Sequence, residues 1–527
     1  MESATVAARA GSSPVPDKGL KRNAIGYISN VVIGVASTAP AYSLAATLGF
    51  IVAVKGVRLQ SPAVLLVSFV PMLCIAFAYR YMNRADPDAG TSFIWVTRGL
   101  NPQLGWITGW AIVAADIIVM ANLAQIAGKY TFLLFGWHSA ASSTAAQIIA
   151  GLIWIGVMTA ICYWGIELSA RTQQVLLGLE FTLLVVFSIV ALIKVYTVNP
   201  AGSLHPHFSW FWPGSISSFS AMADGVLLGI FIYWGWDSGV AVNEESENSA
   251  EGPGRAAVVS TLMLLVIYLV VSAAAQAYGG TKLLENNSDD VLSVLGTKVF
   301  GSGLDKLLII AVLTSASAST QTTILPTART TLSMAKWRAI PQVFGRVHPR
   351  HMTPSVSTLA MGGVSAVWFA LILAFNSSGD VLGDAIAALG FCVAFYYVLT
   401  GLACAVFYRR ELFRSVKNFV FAGLLPVAGF AMLAAVFVKA FTYYGKAGSN
   451  YSKPILGIQT PIFIGVGSLV LGGVLMLVAW GRYPRFFRRW WFESAPPGLL
   501  EQPVHHAEAH LWGPSHEHEQ PEQPAIP

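Results

Sequence analysis

The chain predicts an all-α integral membrane protein of about twelve transmembrane helices. Three observations carry this: an apolar composition, twelve apolar runs of spanning length, and two runs that break near their middles. Of 527 residues, 55% are hydrophobic and 11% charged, whereas a soluble domain carries about 25% charged residues. A hydrocarbon core about 30 Å thick needs roughly 20 apolar residues per helix. Runs of that kind lie at Ile25 to Val54, Ala63 to Met82, Leu104 to Gly128, Ala146 to Ile166, Val175 to Tyr196 and Ser217 to Val242. They continue at Val258 to Tyr278, Leu304 to Pro326, Ser355 to Phe375, Val381 to Phe407, Val420 to Tyr443 and Pro461 to Trp480.

Placing both termini in the cytoplasm puts most of the 32 Lys and Arg residues on that side, as the positive-inside bias requires. The expected location is therefore the plasma membrane, multi-pass, and the net charge of +6 reflects topology, with no need for nucleic acid. Asn-x-Ser tripeptides at Asn286, Asn376 and Asn450 fall on outer loops in this orientation. Residues 1–24 read as a cytoplasmic tail without a cleavable signal order. Residues 494–527, rich in Pro, Glu and His, read as a disordered one. His505, His506, His510, His516 and His518 are expected to be solvated, with no metal bound. Cys74, Cys162, Cys392 and Cys404 lie in or at the ends of spans, which predicts apolar packing and no disulfide framework.

No nucleophile elbow, phosphate-binding loop or His-Glu-x-x-His pair occurs. The expectation is a non-enzymatic secondary transporter that uses no cofactor.

The sixth span carries the clearest site signal. In Gly225 to Glu247 the helix pattern fails at Gly235, with Asp237 just beyond. An interrupted ladder inside lipid is tolerated only where it lines a cavity, and a carboxylate at that depth costs roughly 2.5–3.5 kcal/mol unless it finds a partner. The first span repeats the feature: Ala36, Ser37, Thr38 and Ala39 precede Pro40, which lacks an amide donor. Paired breaks at corresponding positions mark a midplane binding site between internal repeats.

Several segments, in order, carry a family resemblance. They are Ile33-Gly34, the run Asp86-Pro87-Asp88-Ala89-Gly90-Thr91-Ser92-Phe93, Leu104-Gly105-Trp106-Ile107-Thr108-Gly109-Trp110, and Gly165-Ile166-Glu167-Leu168-Ser169-Ala170-Arg171. Tyr233 through Glu245, Pro326-Thr327-Ala328-Arg329 and Ile340 through Pro349 complete the set. From about Ile25 to Arg489 the chain resembles the amino acid, polyamine and organocation superfamily. The resemblance implies a five-plus-five inverted repeat of the LeuT type, with repeats at 25–210 and 211–410, two further helices within 411–493, and import or exchange of amino acids or amines. Ala36 stands where amino-acid-binding members often carry a second small glycine-rich turn, with Pro40 following, and Asn248 through Arg255 replaces the usual Asn-Pro stretch. Both departures leave the substrate class open.

Glu180 occupies the fifth-span place where proton-linked relatives carry a lysine, facing Thr314, Ser315, Ser317, Ser319 and Thr320 of the eighth span. Burial penalises a charged carboxyl, so Glu180 is the expected proton-coupling residue, with Asp116 of the third span as a second embedded acid. Lys129 stands thirteen residues further on, about 20 Å along a helix and too far to neutralise Asp116. Gln173 shares one helical face with Glu180.

The expected binding set is Ile33, Gly34, Ala36, Ser37, Thr38, Ala39, Phe231, Tyr233, Trp234, Gly235, Trp236 and Asp237. Amides near Ser37, Thr38 and Ala39 would meet a carboxylate. Carbonyls around Ile33, Gly34, Phe231 and Tyr233, with Asp237, would meet an amine. Phe391, Phe395, Tyr396 and Tyr397 are candidates to gate the outer path. The partners expected are a small amine-bearing substrate, a co-transported proton and the lipid bilayer. The leading reading is a proton-coupled amino acid transporter. A polyamine importer, an exchanger, and a channel or substrate-sensing receptor on the same scaffold are the alternatives.

Overall fold

The computed structural model describes residues 17–288, 290–301, 303–375, 378–446, 452–488, 494–495 and 499–500. Among them the chain is helical without strands, apart from isolated bridges at Ile25–Ser246 and Ile455–Ile458. Twelve helical stretches are long and apolar enough to cross a membrane. The first six are Tyr27–Ala53, Arg58–Ala85, Pro102–Leu134, Thr144–Trp164, Ile166–Thr197 and Phe219–Ala241. The other six are Gly252–Asn286, Lys306–Lys336, Ser355–Ala374, Gly383–Phe407, Val416–Tyr444 and Thr460–Arg482. Asn376, Asn450 and nearly all of the His-rich end lie outside the described residues.

Several spans are longer than their apolar runs, and the extensions of the fifth and the eighth matter most. The fifth begins at Ile166, directly after Gly165 at φ 146°, so Arg171 and Gln173 are helical. The eighth runs through Pro326 to Lys336, which places Arg329 inside the helix. Apolar patterning misses both because the added turns are polar. Gln173 and Arg329 within them are matched by neighbouring segments, Gln173 by Gln321 and Arg329 by Glu245. A short helix, Ser92–Gly99, follows the second span.

Burial ranks the spans. In the first and eighth, 94% and 89% of the apolar window is buried; in the eleventh and twelfth, 28% and 22%. The first and eighth spans are therefore the axis of the bundle, and the last two form its lipid-facing edge. The four cysteines are buried and free.

The N-terminal region departs from a loose tail. Ala24 N donates to Glu245 O at 2.7 Å and Glu247 N to Ile25 O at 2.9 Å, while Lys18 is buried. Residues 17–25 thus dock onto the face of the bundle that carries them. At the other end Ala495 N donates to Phe407 O at 2.9 Å, so the chain is still packed just past residue 494.

Candidate functional site

The first span is two helices, Tyr27–Ser37 and Pro40–Ala53. Ala39 sits between them at φ 46°, a left-handed conformation that costs a non-glycine residue of order 1–3 kcal/mol. Side chains from the eighth span and from the second half of the first span hold the open ends. Ser319 Oγ donates to Ser37 O at 2.8 Å, and Ser43 Oγ to Thr38 O at 2.6 Å. Pro40 opens the second helix, where a missing amide matters least.

The Thr38 and Ala39 amides, expected to receive a substrate carboxylate, make bonds within the chain in this structure. Thr38 N bonds Val35 O and Ala39 N bonds Ala36 O, both at 3.1 Å. The next amides are also taken: Ala41 N donates to Glu180 Oε1 at 2.7 Å and Tyr42 N to Ser315 Oγ at 3.2 Å. A carboxylate at a helix start is well placed against the positive end of the helix dipole. Glu180 fills the position an anionic ligand group would take.

The sixth span breaks after Tyr233, where Trp234 turns extended at ψ 143°, and Gly235 takes φ 120°. A Cβ on Gly235 would stand 2.7 Å from Ser37 O, so only glycine lets the two breaks touch. A Cβ on Gly34 would lie 3.0 Å from Trp236 O, which makes Gly34 a packing residue at the same crossing. Ser37 Oγ and Ser238 Oγ are 2.7 Å apart. Ile33, Ala36 and Ala39 are buried in this contact. The Phe231 carbonyl accepts Trp234 N at 3.1 Å, which occupies one acceptor expected for an amine.

Asp237 meets hydroxyls, with no arginine or lysine bonded to it among the described residues. Tyr396 donates to Asp237 Oδ2 at 3.0 Å and Tyr79 at 3.3 Å. Tyr396 also receives the indole N–H of Trp234. Trp236 stacks on Tyr397 with centroids 5.5 Å apart and meets Tyr79 edge-on at 5.0 Å. Asp237 keeps partial exposure while Trp236 and Ser238 are buried. Of the aromatic residues expected to gate, Tyr396 and Tyr397 join this shell. Phe391 instead packs on Phe437 and Tyr444 of the eleventh span, at 5.4 and 6.3 Å.

Asp116 is buried and receives the Thr327 hydroxyl. Lys129 pairs with Asp290 at 3.5 Å, away from Asp116, as the helical spacing requires. Gln173 lies on the face of Glu180 and donates to Ala318 O at 2.9 Å and Gln321 Oε1 at 2.8 Å.

Beneath the breaks, on the N-terminal face, a charge cluster ties the ends of several spans. Lys18 Nζ lies 2.8 Å from Asp88 Oδ2 and also bonds Glu244. Asp88 further accepts Ser333 Oγ at 2.7 Å and the Trp337 indole at 3.0 Å. Arg329 pairs with Glu245 at 2.5 Å. Burial works against the Lys18 charge, but Asp88 and Glu244 more than offset it and hold the ammonium above its ordinary range. Burial likewise opposes the Asp88 charge, yet Lys18 and the surrounding donors hold that carboxyl below its ordinary range. Glu244 is pushed up by burial despite Lys18.

Several residues of the site escaped sequence reasoning. Tyr79 and Ser92 come from the second span and the short helix after it, and Tyr268 caps Ile232 O at 2.6 Å. The Tyr42 hydroxyl and the Asn122 amide face each other, buried, without a hydrogen bond of ordinary geometry. Tyr42 also meets the Phe231 ring edge-on at 6.4 Å. A polar residue inside an apolar run was the available signal for Asn122, Tyr42, Tyr79 and Tyr268, and Ser92 lies in the Asp86 to Phe93 run, though nothing in the sequence says which partners they meet.

The Amino acid permease family matches residues 24–467. The branched-chain amino acid permease BcaP of Lactococcus lactis is 24% identical over 430 residues, covering 77% of this chain and 84% of that protein. The low-affinity putrescine importer PlaP of Escherichia coli is 22% identical over 377 residues, covering 71% of this chain and 79% of its own. The vacuolar cationic amino acid transporter 8 of Arabidopsis thaliana is 24% identical over 383 residues, covering 71% of this chain and 61% of its own. With the match running through all the broken and buried spans described above, the chain belongs to the amino acid permease family of the amino acid, polyamine and organocation superfamily, and is a multi-pass membrane protein.

Proposed function

We propose that this protein is a secondary active transporter, not an enzyme, which carries an amino acid across the plasma membrane by alternating access coupled to a proton. The observation that supports it most is the meeting of two broken helices at Ser37 and Gly235, with Asp237 beside them as an anionic group held by hydroxyls. An ammonium group is the natural ligand of such a carboxylate, and the ring of Trp234 adds a face that attracts cations by about 0.5–2 kcal/mol. Both termini lie in the cytoplasm in this reading, so the Lys18 cluster closes the inner side. Residues 25–210 and 211–410 are the two repeats that move against each other.

Glu180 supplies the coupling. Ionised, it ties the fifth span to the start of the Pro40 helix by charge and by the Ala41 amide. Protonation removes the charge and weakens the attraction to the helix end. Proton binding then biases which side is open, because the two states differ in how strongly they hold the carboxylate. Asp116 is the second candidate in the same interior.

A second reading has its own support. The first-span amides are satisfied internally and the Glu180 carboxylate stands before the helix start, so a ligand carboxylate finds repulsion there. That favours an amine without a carboxylate, and one relative is a putrescine importer. Uptake into proteoliposomes, with and without a pH gradient and in competition with leucine, arginine and putrescine, separates the two. Saturable accumulation driven by the gradient supports the transporter. Non-saturating flux would indicate a channel, and binding without accumulation a receptor.

A further inference from the structure

We infer that the fifth and eighth spans hold a file of buried water that conducts protons between Glu180 and the N-terminal face. The inference rests on the reading of Glu180 as the coupling residue. Five side-chain atoms along this seam make no hydrogen bond of ordinary geometry within the protein: Glu180 Oε2, Ser317 Oγ, Gln321 Nε2, Gln173 Oε1 and Ser169 Oγ. All five residues are at most 1% exposed. Buried polar groups nearly always have a partner, protein or water. Five bare ones in a single seam call for water, which typically makes about three hydrogen bonds to such groups.

The placement is directional. Ser169, Gln173 and Glu180 are spaced by four and seven residues, so they share one face of the fifth span. Ser317 and Gln321, four apart, share one face of the eighth. The bonds from Gln173 to Ala318 O and Gln321 Oε1, at 2.9 and 2.8 Å, pin those faces together. Each glutamine spends one end of its amide on that contact and leaves the other end unsatisfied. From Glu180 to Ser169 the helix rises about 16 Å, a length that about five waters at hydrogen-bond spacing would bridge. On the eighth span, the buried Arg329 is neutralised by Glu245 at 2.5 Å, so this cation does little to repel an excess proton on its way out.

Neither amides nor hydroxyls titrate in this range, so these side chains position the waters and the waters carry the charge. Protonated Glu180 gives the proton on Oε2 to the first water. The excess charge passes along the file by exchange, and the last water releases a proton to the solution. Glu180 is left as a carboxylate on the Ala41 amide. The groups facing Glu180 from the packed elements are the Ala41 amide of the first span, Ser315 of the eighth and the Tyr268 hydroxyl of the seventh, none of which is a cation.

The test compares Gln173→Leu and Gln321→Leu with wild type and Glu180→Gln in proteoliposomes, using whichever of leucine, arginine and putrescine the wild type accumulates. Net uptake requires the proton to leave, whereas counterflow at equal pH lets the loaded carrier return without releasing it. The expected result is a tenfold or greater loss of gradient-driven uptake in both leucine variants, with counterflow within twofold of wild type and uptake restored by Gln173→Glu. Should one leucine variant fail to fold, the other and Ser317→Val decide. Wild-type gradient-driven uptake in the leucine variants, beside an uncoupled Glu180→Gln, would overturn the water file alone. Full gradient dependence in Glu180→Gln would remove the coupling role and the file with it.

Discussion

The Glu180 carboxylate accepts the Ala41 amide at 2.7 Å across 139 positions of sequence, joining the fifth span to the first at the point where the first is broken. One bond therefore combines a helix start, a buried acid and the break in the first span. Glu180→Gln keeps an acceptor for that amide but cannot exchange a proton. Its expected phenotype is substrate binding within a few-fold of wild type with net gradient-driven uptake abolished. Glu180→Leu also strands the amide, a loss of about 1–3 kcal/mol. Uptake and thermal unfolding of the two variants, measured side by side, check the distinction.

Asp237 is predicted to carry the charge that selects an ammonium group. Asp237→Asn retains an oxygen for Tyr396 and Tyr79 but removes the anion. Hydrogen bonds to charged groups contribute about 1.5–3 kcal/mol, so binding of an amine should weaken roughly ten- to a hundredfold, read by ligand-induced stabilisation or equilibrium binding. Tyr396→Phe removes a hydroxyl from the same shell and should have a smaller effect in the same direction. Unchanged affinity in Asp237→Asn would place the amine elsewhere.

Gly235→Ala should abolish transport. The added methyl meets the Ser37 carbonyl at 2.7 Å, and φ 120° is a region L residues rarely adopt. Strain of order 1–3 kcal/mol adds to a backbone clash that no rotamer relieves. Gly363→Ala, where a Cβ meets nothing within 4 Å, is the matched control and should transport normally.

Lys18→Met should loosen the N-terminal segment. It leaves Asp88 and Glu244 buried without their cation, a loss of about 3–5 kcal/mol for a broken buried pair. Faster trypsin cleavage at Lys21 and Arg22 and a lower unfolding temperature are the readouts. The pH dependence follows from the shifts. The Asp88 carboxyl is held low, so its contribution is complete above an ordinary value of about 3.9 and fades as pH falls through the lower folded value. The Lys18 ammonium is held high, so its contribution is complete below about 10.4 and fades as pH rises through the higher folded value. Asp88 and Lys18 together favour docking between about pH 4 and 10 and lose it at both extremes, while Glu244, pushed up by burial, works the other way and takes some stability away as pH rises above an ordinary value of about 4.3.

The two breaks were legible because proline, glycine and an acid inside apolar runs violate the pattern that spans require. Glu180 stood out for the same reason. The occupied amides at Thr38 and Ala39 were not legible: their partners, Val35 and Ala36, depend on a tight turn through Ala39 at φ 46°, and no residue type signals a left-handed alanine. Lys18 looked like one of many cytoplasmic cations, since its partners are 70 and 226 positions away.

The sequence alone determined the environment and the span count, because apolar length is a local property that the bilayer reads directly. It also located where the helices fail, because backbone donors and breakers act within a turn or two. Tertiary structure decided the partners. Tyr79 and Tyr396 rather than a cation meet Asp237, Glu180 rather than a ligand meets the Ala41 amide, and Lys18 is buried rather than solvated. Each of these pairings joins residues on different helices, and which faces meet is settled only when the whole bundle packs to satisfy its buried polar groups.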